Sequence, residues 1–241
     1  MFVTTGREDS ITRKVNYYEN PFFPDVLKRE LDWDRKHDTE KFEWIWLGKC
    51  RTVSDAQIFK GKYVIDSFES PEDGDFFFGA DWGFSQDPTV LVRAFIRDNT
   101  LYIDYEAHAI GLPTRQIKDL FSTVPLSDKY MIVADSARPE TIEELRFNGF
   151  NIRGAKKGKG SIEDGIELIR SFDKVVIHPR CQHTADEFRL YKYKTNQHTG
   201  DIIRIPEDKN NHCIDALRYA IESIKKQASF LTDSQLRGVM I

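Results

Sequence analysis

The run Phe76-Phe77-Phe78-Gly79-Ala80 is followed at once by Asp81, Trp82 and Gly83. Three consecutive aromatics read as a strand buried on both faces, inside a sheet rather than at its edge. The strand runs out on a carboxylate, which is badly placed for packing and well placed to hold a cation where the sheet ends. Gly83 then lets the chain turn sharply or approach a ligand closely. A turn or helix-capping aspartate gives the same local pattern, so the choice rests on what lies downstream.

The chain has 241 residues, enough for one large domain or one domain with an appendage. Hydrophobic residues make up 40% and charged residues 31%, a composition that supports a sizeable core in water. No apolar run reaches the roughly 18–20 residues of a membrane span, and the charged N-terminus is no signal peptide. Cys50, Cys181 and Cys213 are too few and too scattered for a disulfide framework, which fits a reducing cytosol. The net charge of −4 argues against a wholly basic nucleic-acid binder but leaves room for basic flanks around an acidic centre.

Residues 1–45 differ from the rest. Thr4, Thr5, Gly6 and Arg7 precede Asn20-Pro21-Phe22-Phe23-Pro24, then a charged helical stretch from Asp25 to about Lys41, then Trp44-Ile45-Trp46. This segment reads as an arm that docks through its aromatics, or equally as an ordinary N-terminal helix. A main domain over 46–227 and a mixed tail over 228–241 follow. Strands are expected at 62–68, 76–81, 89–96 and 101–105, the last three antiparallel in sequence, with Asp98-Asn99 as a two-residue hairpin turn. Helix–strand repeats come next. They comprise a helix from Pro113, a strand 131–134 ending on Asp135, a helix from Pro139 to before Gly149, a strand 150–153, a helix opened by Ser161, and a strand 174–178. Ser161-Ile162-Glu163-Asp164 resembles a capping box, and Thr184 with Glu187 reads as the cap of a further short helix. Residues 190–205 suggest a hairpin turning at Thr199-Gly200, and Asn211 to Lys226 a closing helix. The order implies an α/β fold: a mixed sheet of three antiparallel strands then parallel ones, flanked by helices, with an extra β-hairpin.

Two strands thus end on an acid, Asp81 and Asp135. Asp215 lies on the closing helix three residues after His212, on the same face. Carboxylates from two strand ends and a helix can converge on one or two divalent cations. Hard ions such as Mg²⁺ or Mn²⁺ take oxygen ligands, and a pair of them can polarise a phosphodiester and activate water.

Gly79-Ala80-Asp81-Trp82-Gly83-Phe84 with Asp87-Pro88-Thr89, Val133-Ala134-Asp135-Ser136, the stretch Lys156 to Ser161 leading into Gly165-Ile166, and Asn211-His212-Cys213-Ile214-Asp215-Ala216-Leu217-Arg218-Tyr219-Ala220 together resemble the nuclease domain of the large terminase subunit of tailed bacteriophages. The likeness covers roughly residues 45–226, and its last motif is the most specific. It implies an RNase H-like fold and an endodeoxyribonuclease that cuts concatemeric viral DNA during genome packaging in the host-cell cytoplasm, with little sequence preference. It implies Asp81, Asp135 and Asp215 as ligands of two divalent cations, Mg²⁺ or Mn²⁺, with His212 as a further ligand or a proton-transfer group. It also implies double-stranded DNA, an ATPase domain in the full-length protein, a small terminase subunit and a portal as partners. On that reading residues 1–45 are the arm leading from the ATPase domain. Residues 154–161 miss the G-x-x-x-x-G-K-[ST] spacing, so no ATPase activity is expected of this chain itself.

Arg153, Lys156, Lys157 and Lys159 precede a helix N-terminus and suit a DNA phosphate, or form a solvated loop. Lys192 and Lys194, with Arg189 and Arg204 around Tyr191 and Tyr193, offer a second DNA-facing surface or an ordinary hairpin. Asp87 and Glu106, the latter read as a strand end after Tyr105, are expected to be structural. His178, Cys181, His183, His212 and Cys213 fit no common zinc-finger spacing. Two other functions compete. An actin-like nucleotide-binding protein would need a second phosphate loop, where Asp135 is followed by Ser136-Ala137. A non-catalytic docking module of the packaging motor would bind partners without any metal effect.

Overall fold

The computed structural model describes residues 16–37, 42, 45–48, 55–83, 87–196, 199 and 201–224. Readings that fall on residues 1–15, on the tail 228–241, on Cys50, on Phe84 and on Gly200 of the hairpin turn lie outside these. The chain divides into two units, Met1–Ser54 and Asp55–Ile241.

In the first unit, Asn16 caps a short 3₁₀ turn at Tyr17–Glu19 and α1 spans Asp25–His37. Leu31 and Asp34 are its buried residues, and the Trp46 indole donates to Asp34 Oδ2 at 3.0 Å. Tyr17 and Phe23 each pack edge-on against the Trp46 ring. Burying one acid is tolerable here because the indole N–H meets it.

The second unit is built on strands β1 (Tyr63–Ile65), β2 (Phe76–Asp81), β3 (Pro88–Arg97), β4 (Thr100–Ile110), β5 (Ile132–Ala134), β6 (Ile152–Gly154) and β7 (Lys174–Ile177). Their order in one seven-stranded sheet is β1-β7-β4-β3-β2-β5-β6. β2, β3 and β4 form an antiparallel meander, and β5, β6, β7 and β1 join it by parallel pairing. The Asp98-Asn99 turn has both residues at positive φ, 49° and 54°, as a tight hairpin requires. β4 does not stop at Tyr105. It continues through Glu106 to Ile110, paired with the Pro88–Val92 end of β3, so Glu106 is a mid-strand residue.

Helices α2 (Ile117–Ser122) and α3 (Pro139–Phe147) cover one face of the sheet. Helices α4 (Ser161–Ser171), α5 (Gln182–Leu190) and α6 (His212–Ala220) cover the other. Phe76, Phe78, Ala80 and Leu91 point to the first layer with Phe121 and Leu145. Val90, Val92, Leu101 and Ile103 point to the second with Ile169, Phe188 and Leu217. This two-sided burial is why β2 and β3 read as near-continuous apolar runs. A separate hairpin, β8 (Tyr193–Thr195) with β9 (Ile202–Pro206), stands apart from the sheet.

Two capping readings are corrected. Ser161 is the first residue of α4, with Gly160 at φ 79° in the cap position and no side-chain cap bond. Thr184 and Glu187 lie inside α5, whose cap residue Cys181 makes no such bond either. One carboxylate from elsewhere in the fold, that of Glu106 on β4, takes over that task at α5.

Candidate metal centre

β2 delivers Asp81 to the end of the sheet, and the parallel pairing of Ala80 with Ala134 sets Asp135 beside it. The Asp135 N–H donates to the Ala80 carbonyl at 2.9 Å, and the Trp82 indole donates to the Asp135 carbonyl at 2.7 Å. These bonds fix the two strand ends to each other.

Asp215 and His212 arrive from α6, which lies directly on β2. A Cβ on Gly79 would stand 1.8 Å from the Ala216 carbonyl oxygen, so only glycine admits the helix so close. Gly83 is similarly constrained, since a Cβ there would meet the Asp87 carbonyl oxygen at 2.0 Å. The motif's two glycines are therefore packing residues that seat α6 and close the turn after Asp81.

Asp81, Asp135, His212 and Asp215 line one cleft of about 430 Å³, with Lys157 and Arg218. Each acid is held by a cationic or imidazole partner. His212 Nδ1 lies 2.9 Å from Asp81 Oδ2, and its Nε2 lies 3.7 Å from Asp87 Oδ1. Lys157 Nζ lies 2.5 Å from Asp135 Oδ1, which also accepts the Ala137 N–H at 2.9 Å. Arg218 donates from Nε and Nη2 to Asp215 Oδ1 at 3.0 and 2.7 Å, and from Nη1 to the Ser161 carbonyl at 3.2 Å. Asp87 thus faces the imidazole rather than merely bracing its loop.

Burial pushes the Asp81 carboxyl above its usual range; the His212 hydrogen bond opposes this and nearby Asp135 adds to it. Burial likewise raises Asp215 to about 6, against the pull of Arg218. The hydrogen bond to Asp81 raises His212 despite its partial burial.

Among the described residues, no three or more His, Cys, Asp or Glu side chains stand together as a group that could hold a metal ion. The donor chemistry still suits a hard divalent ion. The protein partners named above engage Asp81 through Oδ2 and Asp135 through Oδ1. At Asp215 the second oxygen accepts the Asn211 amide at 3.4 Å. Carboxylates at an open polar cleft are what Mg²⁺ or Mn²⁺ take, with water completing the shell.

The other sequence-flagged residues are dispersed. Glu106 lies away from the acids and accepts the N–H groups of His183 and Thr184 at 2.8 Å each. Arg153 is committed to Glu222 at 2.6 Å, and Lys192 to Glu207 at 3.6 Å. Lys156, Lys159 and Lys194 make no ion pair among the described residues. Cys181 and Cys213 are buried in the core. Sequence reasoning missed the seat of Lys157 on Asp135, for which no spacing rule exists. It also missed Arg218 at Asp215, which the i, i+3 interval does signal.

Comparison with known proteins gives a consistent picture. The family described as "Terminase RNAseH like domain" matches residues 81–223. The large terminase subunit of Bacillus phage SPP1 is 32% identical over 221 residues, 88% of this chain and 51% of that protein. The chain spans about half the length of the curated relatives it matches. The crystal structure of the SPP1 g2p large terminase nuclease domain with bound Mn superposes with a TM-score of 0.61 at 31% identity, covering 68% of this chain and 97% of that one. The large terminase nuclease of thermophilic phage G20c with bound magnesium shares the fold at 19% identity and a TM-score of 0.51, covering 70% and 98%.

Proposed function

The chain belongs to the terminase RNase H-like domain family, and from that premise we propose that it is a metal-dependent DNA endonuclease that cuts concatemeric viral DNA during packaging. The observation that carries the proposal is the convergence of Asp81, Asp135 and Asp215 from two strand ends and one helix on a single cleft. The SPP1 nuclease domain, similar over nearly its whole length, was crystallised with Mn.

Asp81, Asp135 and Asp215 are the residues that would hold two divalent cations, Mg²⁺ or Mn²⁺. Such ions, when bound, lower the pKa of water and offset charge on a phosphodiester. The chain's own residues do the rest. Arg218 fixes the rotamer of Asp215 from a buried position, so that carboxylate meets the cleft with one oxygen already anchored. His212 has one ring nitrogen on Asp81 and the other toward Asp87, which suits it to hold or pass on a proton that attacking water sheds. This favours the proton-transfer role for His212 over direct ligation through Nδ1. Lys156 and Lys159, on the loop leading into α4, are placed to meet backbone phosphate. Contacts of that kind position DNA without reading its sequence, in line with low sequence preference. An ATPase domain, a small subunit and a portal are the partners this role calls for in the full-length protein.

The test is plasmid cleavage by the purified chain in EDTA, Mg²⁺ or Mn²⁺, beside Asp81→Asn. Cleavage that needs metal and falls by about 100-fold or more in the variant supports the reading. Cleavage by Asp81→Asn at the parent rate would overturn it.

A further inference from the structure

We propose that Lys157 is a built-in cation that occupies Asp135 until a DNA phosphate draws it away, so that the metal site at Asp135 is completed only on DNA. The inference rests on the reading of Asp135 as a metal ligand.

The two charged partners of the acids differ in how firmly they are held. Arg218 is 5% exposed, makes three hydrogen bonds and packs against Gly165, where a Cβ would meet its Cδ at 2.7 Å. It has no room to leave Asp215. Lys157 makes a single ion pair at 2.5 Å, and its side chain is 46% exposed while Asp135 beneath it is 15% exposed. It sits on the loop between β6 and α4, followed by Gly158 and by Gly160 at φ 79°. A half-exposed lysine–carboxylate pair is weak, so exchanging the carboxylate for a phosphate costs little.

The ammonium also has somewhere to go. Lys157 lines the acidic cleft and, on its other side, an adjoining cleft of about 670 Å³ whose charged lining is Lys156, Asp164, Arg153 paired to Glu222, and Arg218 paired to Asp215. It lies 6.0 Å from the Tyr219 ring centroid, at the divide between the two. A phosphate entering this adjoining cleft beside Lys156 attracts Lys157 toward it and frees Asp135 Oδ1 of the ammonium.

While the ammonium stays, its charge competes with any divalent ion at Asp135. The centre therefore takes a first ion through Asp81 and Asp215 more readily than a second through Asp135. Such coupling makes DNA engagement a condition for a complete site, which would restrain idle cutting.

The experiment is a calorimetric Mn²⁺ titration of the full chain without DNA, for the parent, Lys157→Met and Lys156→Met. Lys156→Met removes the same charge from the neighbouring position and controls for the general field. Expected is a gain of about tenfold in the weaker Mn²⁺ affinity for Lys157→Met, the order that one nearby charge produces, with little change for Lys156→Met. A cleavage-resistant phosphorothioate duplex should then tighten Mn²⁺ binding in the parent but not in Lys157→Met. Equal Mn²⁺ binding by parent and Lys157→Met, or equal gains in both variants, would overturn the gate and leave the metal centre standing. Absence of Mn²⁺ binding in all three chains would overturn the metal centre itself, and the gate with it.

Discussion

The carboxylate of Glu187, on α5, accepts the Ile214 N–H at 3.1 Å and so closes the N-terminus of α6, the helix that carries His212 and Asp215. The residue in α6's own cap position, Asn211, makes no side-chain cap bond. One step back the same arrangement recurs. Glu106 of β4 accepts the His183 and Thr184 N–H groups at 2.8 Å and the Thr184 hydroxyl at 2.7 Å, closing the N-terminus of α5. The sheet thus holds α5, and α5 holds α6. In both cases an acid distant in sequence serves amides that a helix start leaves without partners.

Glu106→Ala should therefore cost about 1–2 kcal/mol, the usual range for a lost cap. It should also weaken Mn²⁺ binding although Glu106 touches none of the three aspartates, because α5 no longer seats α6. Urea unfolding measures the first effect and calorimetric titration the second. Unchanged Mn²⁺ affinity in a destabilised variant would break the link from β4 to the centre.

Glu187 gives a pH dependence of definite sign. Burial pushes its carboxyl from 4.5 up to about 7. The folded state then keeps a proton that the unfolded chain has released, so this group's contribution to stability falls as pH rises from about 4.5 to about 7. Glu187→Gln removes the titration. The stability of Glu187→Gln relative to the parent should shift in its favour by on the order of 3 kcal/mol between about pH 4.5 and about pH 8. Urea midpoints at several pH values check this, and a pH-independent difference would refute it.

Asp215 links protons to metal in the opposite sense. Its carboxyl is raised to about 6, chiefly by burial. A proton must leave before a cation can bind, so Mn²⁺ affinity should be flat above about pH 6 and fall about tenfold per unit below it. Asp81, raised in the same direction, steepens the fall. Titrations across this range should locate the break, and a break nearer to pH 4 would mean that Asp215 does not bind the metal.

The strand ends were legible because an apolar run that stops on an acid puts that acid where the sheet meets water, and Asp81 and Asp135 stand where the run of residues placed them. The Asp98-Asn99 turn was legible for its local conformational reason. The helix starts at Ser161 and Thr184 misled because a capping box is a local pattern, whereas α5 is capped by Glu106, a partner 77 residues away. Nothing in a linear pattern weighs a tertiary carboxylate against a local hydroxyl. The reach of β4 was also hidden. Glu106 and His108 break the simple apolar signal, and the strand runs on through them paired with the Pro88–Val92 end of β3. Lys157 on Asp135 joins two loops that no spacing rule connects.

Gly79 offers the sharpest test of how α6 reaches the centre. An added Cβ would lie 1.8 Å from the Ala216 carbonyl oxygen and 2.8 Å from the Ala220 nitrogen. Both are backbone atoms, so no rotamer change relieves the contact; the helix itself must move off β2. Gly79→Ala should cost about 3 kcal/mol or more, at the upper end for overpacking. It should also part His212 from Asp81, now 2.9 Å apart, and lower Mn²⁺ affinity. Shrinking the neighbour cannot help, because the clash is with the carbonyl of Ala216 and not its methyl group. Gly79→Ala combined with Ala216→Gly should therefore be no more stable than Gly79→Ala alone in urea unfolding. Recovery in the double variant would mean that α6 packs on β2 through side chains, and the close backbone approach would be wrong.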